Sequence, residues 1–332
     1  MPSPIQLLRR IGINGLLVGI IFSAFLGYFI PEWGSKDSPI PWGIFTTIGI
    51  SFIFFFYGVK LDPISLRKGI YNWRLHLLIQ SGTYLVFPLV VTLIMPLLPF
   101  LTGNLKVGLW FLSALPSTVS ASVVLVNIAK GNLPAAIFNA SISSLLGVFI
   151  TPIWMLVLTG NETSGVEFTG ILTQLMLKIL LPVILGIVLH RRLYPVLNPY
   201  FSKLKYVDQA VIMAIVYTSF SDAFVNDVFS GYSSSSMLGL VLVTGFLYFL
   251  IGFFLFFIAK SLGWGMADRI TTVFCGAKKS LIQGVVMGKV IFSDPLVLSI
   301  VILPVMIFHI QQLIYGSLLA GFFQKKMSSQ DT

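Results

Sequence analysis

The sequence predicts an all-α integral membrane protein of ten transmembrane helices. Three observations carry that prediction. Of 332 residues, 56% are hydrophobic and only 10% are charged, where a soluble domain is nearer a quarter charged; mean hydropathy is +0.95. Apolar runs of about 20 residues, enough to cross a bilayer, recur along the whole chain. Basic residues alternate between the segments that join those runs.

Taken in order, the first span is 11–30, stopped by Pro31. Arg9 and Arg10 precede it. The run is too long for a removed signal peptide and lacks a small-residue cleavage site, so it reads as a retained span. Spans follow at 43–59, 75–98, 106–129 and 133–158. After the polar loop TGNETSGVE (159–167) come 168–190, 206–222, 237–259, 270–292 and 296–320. The seventh span is the least apolar, with Asp208, Ser219, Ser221 and Asp222 near its ends.

Ten spans put both termini on one side. With termini inside, 15 of the 21 Lys and Arg residues fall in cytoplasmic segments, and three (Lys36, Lys106, Lys289) in outer ones. That bias predicts cytoplasmic termini in a cell membrane. It also accounts for the net charge of +10 without a nucleic-acid partner. The loop at 159–167 divides the chain into five-span units, 1–158 and 159–332, that start on opposite faces. This is the positional signature of an inverted repeat.

Two spans are irregular. In 106–129 the stretch ALPSTVSAS (114–122) crowds Pro, Ser and Thr where an apolar core belongs. In 271–294 two lysines, Lys278 and Lys279, follow Gly276. A charge near the bilayer centre costs about 2.5–3.5 kcal/mol even on lenient scales. Both spans read as broken helices, tolerated at depth only where they line a cavity or lie inside protein. The candidate site is therefore Ser117, Thr118, Ser120, Ser122, Lys278, Lys279, Ser280 and Gln283. Gln80 of the third span joins them, as do Asn139 and Ser143, which share a helix face at i, i+4. Hydroxyls and freed carbonyls suit a hard cation such as sodium; half-helix N-termini suit an anion. Packing of small polar residues between helices would produce the same Ser-rich pattern.

Lys278 lies about nine residues, roughly 13 Å, inside its span, more than a lysine stem comfortably covers by snorkelling. No carboxylate lies at a span centre, so a buried Lys278 would be either neutral or held by carbonyls and an anionic ligand. Lys178 could meet solute at a cleft or snorkel; His309 with Gln311 and Gln312 could relay protons or sit satisfied in the core. The single Cys275 excludes an internal disulfide and reads as a small buried hydrophobe. No nucleotide-binding, metalloprotease or hydrolase motif is present, and no nucleophile–base pair, so no enzymatic activity is expected.

The segments YGVKLDP (57–63), LPSTVSASVVLVNIAKGN (115–132), AAIFNASISSLLGVFITP (135–152) and FCGAKKSL (274–281) resemble the bile acid/sodium symporter superfamily. They are most similar to its branch typified by solute carrier family 10 member 7 and its bacterial homologues. The resemblance implies two inverted five-helix repeats. A panel domain would come from spans near 11–59 and 168–222, and a core domain from spans near 75–158 and 237–320. The broken fourth and ninth helices would cross, with solute bound between panel and core. In the sodium-coupled branch, hydroxyls and an Asn of spans 4 and 5, a Gln of span 3 and a Glu–x–x–x–Gln run hold the ion. Ser120 and Ser122 match in kind as sodium ligands, and Gln80 looks like the glutamine of span 3. Phe274 stands about where the glutamate belongs and Lys278 about where the second glutamine belongs. An ammonium there would substitute for sodium.

The resulting expectation is a secondary transporter of a small anionic or amphipathic organic solute, coupled to sodium or protons, with no cofactor beyond that ion. Its partners would be the solute and the bilayer, with homodimerisation open. The rival reading is a membrane regulator of calcium homeostasis that acts through protein partners.

Overall fold

A computed structural model describes residues 15–60, 72–159, 173–174 and 176–328. Arg9, Arg10, Arg67, Lys68, the loop 160–167, the first residues of the sixth span and the Ser120 side chain lie outside the described residues. In hydrocarbon each backbone polar group needs an internal partner, which favours helices, and every long described element is a helix. They are α1 (Gly15–Phe29), α2 (Trp42–Lys60), α3 (Trp73–Leu97), α4 (Gly103–Ala114), α5 (Ser120–Ile128) and α6 (Leu133–Thr159). After the loop come α7 (Leu181–Leu197), α8 (Phe201–Val225), α9 (Ser234–Ser261), α10 (Met266–Gly276), α11 (Leu281–Ile291) and α12 (Pro295–Ser328). Helices α2, α3, α6, α9 and α12 are long and apolar enough to cross a membrane.

Burial is inverted relative to a water-soluble fold. Leu93, Leu242, Phe253 and Phe322 are more than half exposed, while Lys278, Lys279, Asn139 and Gln312 are buried. Large apolar side chains turned outward in such number fit a hydrocarbon surround. The fold is thus an all-helical membrane protein. Helices α1, α2, α7 and α8 pack as neighbours: α1 on α8, and α2 on α7 and α8. Elsewhere α6 packs on α4 and α5, α10 on α3 and α9, and α12 on α4, α9 and α11. Helix α8 touches both groups through α11 and α12.

The α2–α7 contact is a close backbone crossing. A Cβ on Gly58 would overlap the Val183 carbonyl, and one on Gly186 the Phe55 carbonyl. Small residues permit this approach in membranes, where lipid gives helices little hydrophobic reason to associate. Gly186→Leu is expected to separate the pair and cost about 1–3 kcal/mol or more. A wild-type melting temperature in detergent for that variant would refute the crossing.

Helix α3 carries a π turn at Gly82–Val86, where Phe87 N bonds the Gly82 carbonyl. The next bond in that register would need an N–H from residue 88, which is proline and has none. Thr83 O is therefore left for another donor. The turn thus offers a carbonyl in the middle of a helix, a common role of π turns at functional sites.

Candidate functional site

Both expected breaks are present, and they meet. Pro116 disfavours helical backbone at the residue before it; Leu115 is extended (φ −68°, ψ 151°) and α4 ends. The second break lies between α10 and α11, where Ser280 is extended and its hydroxyl caps Gln283 N. Ser280 N donates to Pro116 O at 2.8 Å, joining the two unwound strands backbone to backbone.

Several backbone groups freed by the breaks find specific partners, as burial requires. Ala114 O accepts from Thr151 Oγ1 (2.8 Å), and Ser117 N donates to Ser143 Oγ (3.0 Å). Gly276 O accepts from Thr83 Oγ1 (3.3 Å). The Gln312 amide takes Lys279 N on Oε1 (2.9 Å) and gives Nε2 to Lys279 O (2.8 Å).

The two lysines diverge because the segment between α10 and α11 is not helical. Lys279, 1% exposed, points into the crossing. Its Nζ donates to Thr83 O (2.7 Å), Ser113 O (2.6 Å) and Leu115 O (2.8 Å). Three carbonyls take the three N–H groups of the ammonium form. Two of them sit at the C-terminal end of α4, where the helix dipole favours a cation; the third is the carbonyl left by the π turn. The Phe87 ring lies 4.4 Å away. Lys278, fully buried, points elsewhere: its Nζ meets no hydrogen-bond partner among the described residues. It lies 5.7 Å from the Phe274 ring and beside Gly316, whose missing side chain leaves room for Nζ and Tyr248 Oη. One sequence expectation is corrected here: the lysine held among carbonyls is Lys279 and not Lys278.

A cavity of about 530 Å³ ends at this crossing. Thr118, Val119, Ser280 and Gln283 line its inner end, and Lys60, Lys205 and Asp208 its mouth. Thr118, Ser280 and Gln283 are the expected site residues that it brings together. Ser117, Ser122, Asn139, Ser143, Gln80, Lys278 and Lys279 do not line it. Ser122 Oγ bonds Thr118 Oγ1 (2.8 Å). Asn139 and Ser143 turn to the opposite face of α6. There Asn139 holds Gln80 (3.1 Å), His76 (2.7 Å) and the Ala135 carbonyl (2.8 Å), and Ser143 O accepts from the Tyr84 hydroxyl. The cavity face of α6 carries Ser141 and Ser144 instead. Sequence reasoning also missed Tyr57, Gln209 and His309 as lining residues. Lys178 donates to Gln174 (2.8 Å) and stands apart from the cavity.

The donor set does not fit a sodium ion at the crossing. The carbonyls that could ring one already accept from Lys279 Nζ, and Phe274 supplies no charge. Among the described residues no cluster of His, Cys, Asp or Glu could hold a metal. Gln283 Oε1 is buried without a partner among the described residues, while the Ser144 hydroxyl lies against that of Tyr57. A buried acceptor of this kind costs about 1–3 kcal/mol when left unmet.

Comparison with known proteins decides the class. A family model described as the SBF-like CPA transporter family matches residues 14–325. The chain belongs to that family. It is 37% identical over 314 residues to "Uncharacterized protein PA2026" of Pseudomonas aeruginosa, covering 94% of this chain and 93% of the relative. It is 32% identical over 329 residues to "Sodium/bile acid cotransporter 7" of Xenopus tropicalis, with 98% and 95% covered. It is 35% identical over 288 residues to "Putative symporter YfeH" of Escherichia coli, with 85% and 84% covered. The chain is thus a multi-pass membrane protein of a transporter family, as the segments quoted above imply. In that setting a cavity that ends at two crossed, unwound helices is the place where transporters bind solute.

Proposed function

We propose that this family member is a secondary active transporter that moves a small anionic or amphipathic organic solute by alternating access. One observation carries the reading: a cavity with a basic mouth and an apolar wall ends at the unpartnered Gln283 Oε1 beside two half-helix N-termini. Oriented N–H groups at those termini suit an anionic head, and Phe54, Ile212 and Val286 suit an apolar body. Positive residues favour the cytoplasmic side, so the mouth at Lys60 and Lys205 makes this an inward-facing state. At the other end, Asp222 of α8 accepts from Lys36 N (2.7 Å), tying the α1–α2 connection to α8. In this reading the group α1, α2, α7 and α8 is the panel, and the remaining helices are the core of a ten-span inverted repeat. Lys279 stands in for the family's ion at the crossing, which favours protons over sodium as the coupling ion.

The test is uptake by sealed liposomes containing only this protein. Cholate and a set of carboxylate, sulfonate and phosphate amphiphiles would be offered under sodium and proton gradients. At least one is expected to accumulate, and Gln283→Leu to slow its uptake about tenfold, the equivalent of about 1.4 kcal/mol. Folded protein that moves none of them would overturn the reading and favour the regulator of calcium homeostasis.

A further inference from the structure

We propose that His309 is a solute-binding residue, fixed by Gln312 as a one-way hydrogen-bond donor toward an oxyanion head. The proposal rests on the reading of the cavity as the solute site and adds to it a residue and a ligand chemistry.

The argument begins at Lys279. Its backbone N–H can only donate and its carbonyl can only accept. Gln312 meets both, at 2.9 and 2.8 Å, so Oε1 must face the N–H and Nε2 the carbonyl. The amide orientation follows from partners that have no choice, where side-chain partners would leave it ambiguous. The same Nε2 lies 2.8 Å from His309 Nδ1 and offers it a hydrogen. His309 Nδ1 must then be the lone-pair nitrogen, and the neutral ring carries its proton on Nε2. His309 and Gln312 are spaced i, i+3 on α12 and so share a face.

His309 lines the cavity, and none of its hydrogen bonds to the described residues uses Nε2. A satisfied core histidine would engage both nitrogens. The cavity therefore receives an N–H donor that cannot reverse its role while Gln312 holds Nδ1. The Ser144 hydroxyl and the N-terminus of α11 line the same cavity and also offer hydrogens. These donors suit acceptor oxygens, as on a carboxylate, sulfonate or phosphate head, and Gln283 Oε1 beside them is an acceptor left for a hydroxyl or water. Gln312 is a positioning residue that acts through His309, and it ties that donor to the segment bearing Lys279.

Two readouts test this without any transport assay. In protein labelled with ¹⁵N-histidine in nanodiscs, His309→Asn identifies the His309 signals among three histidines. The Nε2–H tautomer is expected in the wild type. Gln312→Glu, which places an oxygen beside Nδ1, is expected to switch it to Nδ1–H. An Nδ1–H tautomer in the wild type overturns the proposal, as does a Gln312→Glu spectrum like the wild type. If Gln312→Glu does not fold, the second readout decides. In a Cys275→Ala background, His309→Cys should react with a charged thiol reagent applied to the Lys60 side. Decanoate should slow that reaction at least fivefold and decylamine should not. An unreactive cysteine overturns the proposal, as does protection by both probes or by neither. A protein that passes both readouts yet transports nothing would sink the transport reading and leave the assignment of His309 standing.

Discussion

Lys279→Met is expected to abolish the folded, monodisperse protein, or to lower its melting temperature by many degrees, while Lys278→Met leaves it unchanged or more stable. The two residues are neighbours in sequence, equally buried and of one type, so composition offers no reason for a difference. The difference lies in their partners. Lys279 donates to three carbonyls at 2.6–2.8 Å. Hydrogen bonds to a charged group contribute about 1.5–3 kcal/mol each, and removing one partner of a buried charged group typically costs about 3–5 kcal/mol in total. Methionine would leave Thr83 O, Ser113 O and Leu115 O without a donor at the point where α3, α4 and the α10–α11 break meet. Lys278 Nζ has no such partner, so methionine there removes a buried, unmatched polar group and keeps most of the volume. Melting curves in one detergent decide the matter. A tolerated Lys279→Met beside a collapsed Lys278→Met would show that the roles are reversed.

The lysine contrast also shows where sequence reasoning stopped. Apolar lengths placed each expected span on a described helix or helix pair: 43–59, 75–98 and 133–158 match to within two residues, the fourth and the seventh to tenth miss at one end or both by three to eight residues, and the first and sixth begin outside the described residues. Pro116 and the paired lysines marked the two breaks, because each violates a local rule that a plain membrane helix obeys. Past that point a periodic argument has no purchase. Once 277–280 leaves the helix, the direction of each side chain depends on which carbonyls the neighbouring helices present. The carbonyl of Thr83 exists as an acceptor only because Pro88 follows a π turn, a register that tertiary contacts select. Helix α6 makes the same point: Asn139 and Ser143 were correctly seen to share a face, but that face binds α3 and the first break. Ser141 and Ser144, equally visible as hydroxyls, face the cavity. Spacing shows which residues lie together; it does not show which of two polar faces meets solute. The basic mouth was the more legible part, since Lys60 and Lys205 already belonged to the expected cytoplasmic segments.

Lys279→Ala should convert the crossing into a cation site. Truncation removes the ammonium and leaves its carbonyl cage, whose three oxygens come from α3 and α4, helices that pack against each other independently of the lysine. Backbone carbonyls arranged around a vacated positive charge are how proteins coordinate monovalent cations. A ligand that binds only the folded state raises stability by about RT ln(1 + [L]/Kd), near 2.7 kcal/mol at one hundred times Kd. The wild type, with the site filled by its own side chain, is expected to melt at the same temperature in sodium, potassium and choline chloride at equal ionic strength. The alanine variant is expected to be less stable in choline and to recover in sodium or methylammonium, the latter a fragment of the missing side chain. Recovery in methylammonium alone would mean that the cage is shaped for an ammonium and has lost the capacity to hold a metal ion. Sodium stabilisation of the wild type would mean that a second cation site exists away from Lys279, and the proposed preference for protons would fall. The sign of the sodium effect in these two proteins thus separates a transporter that carries its counter-cation in its own sequence from one that must collect it from solution.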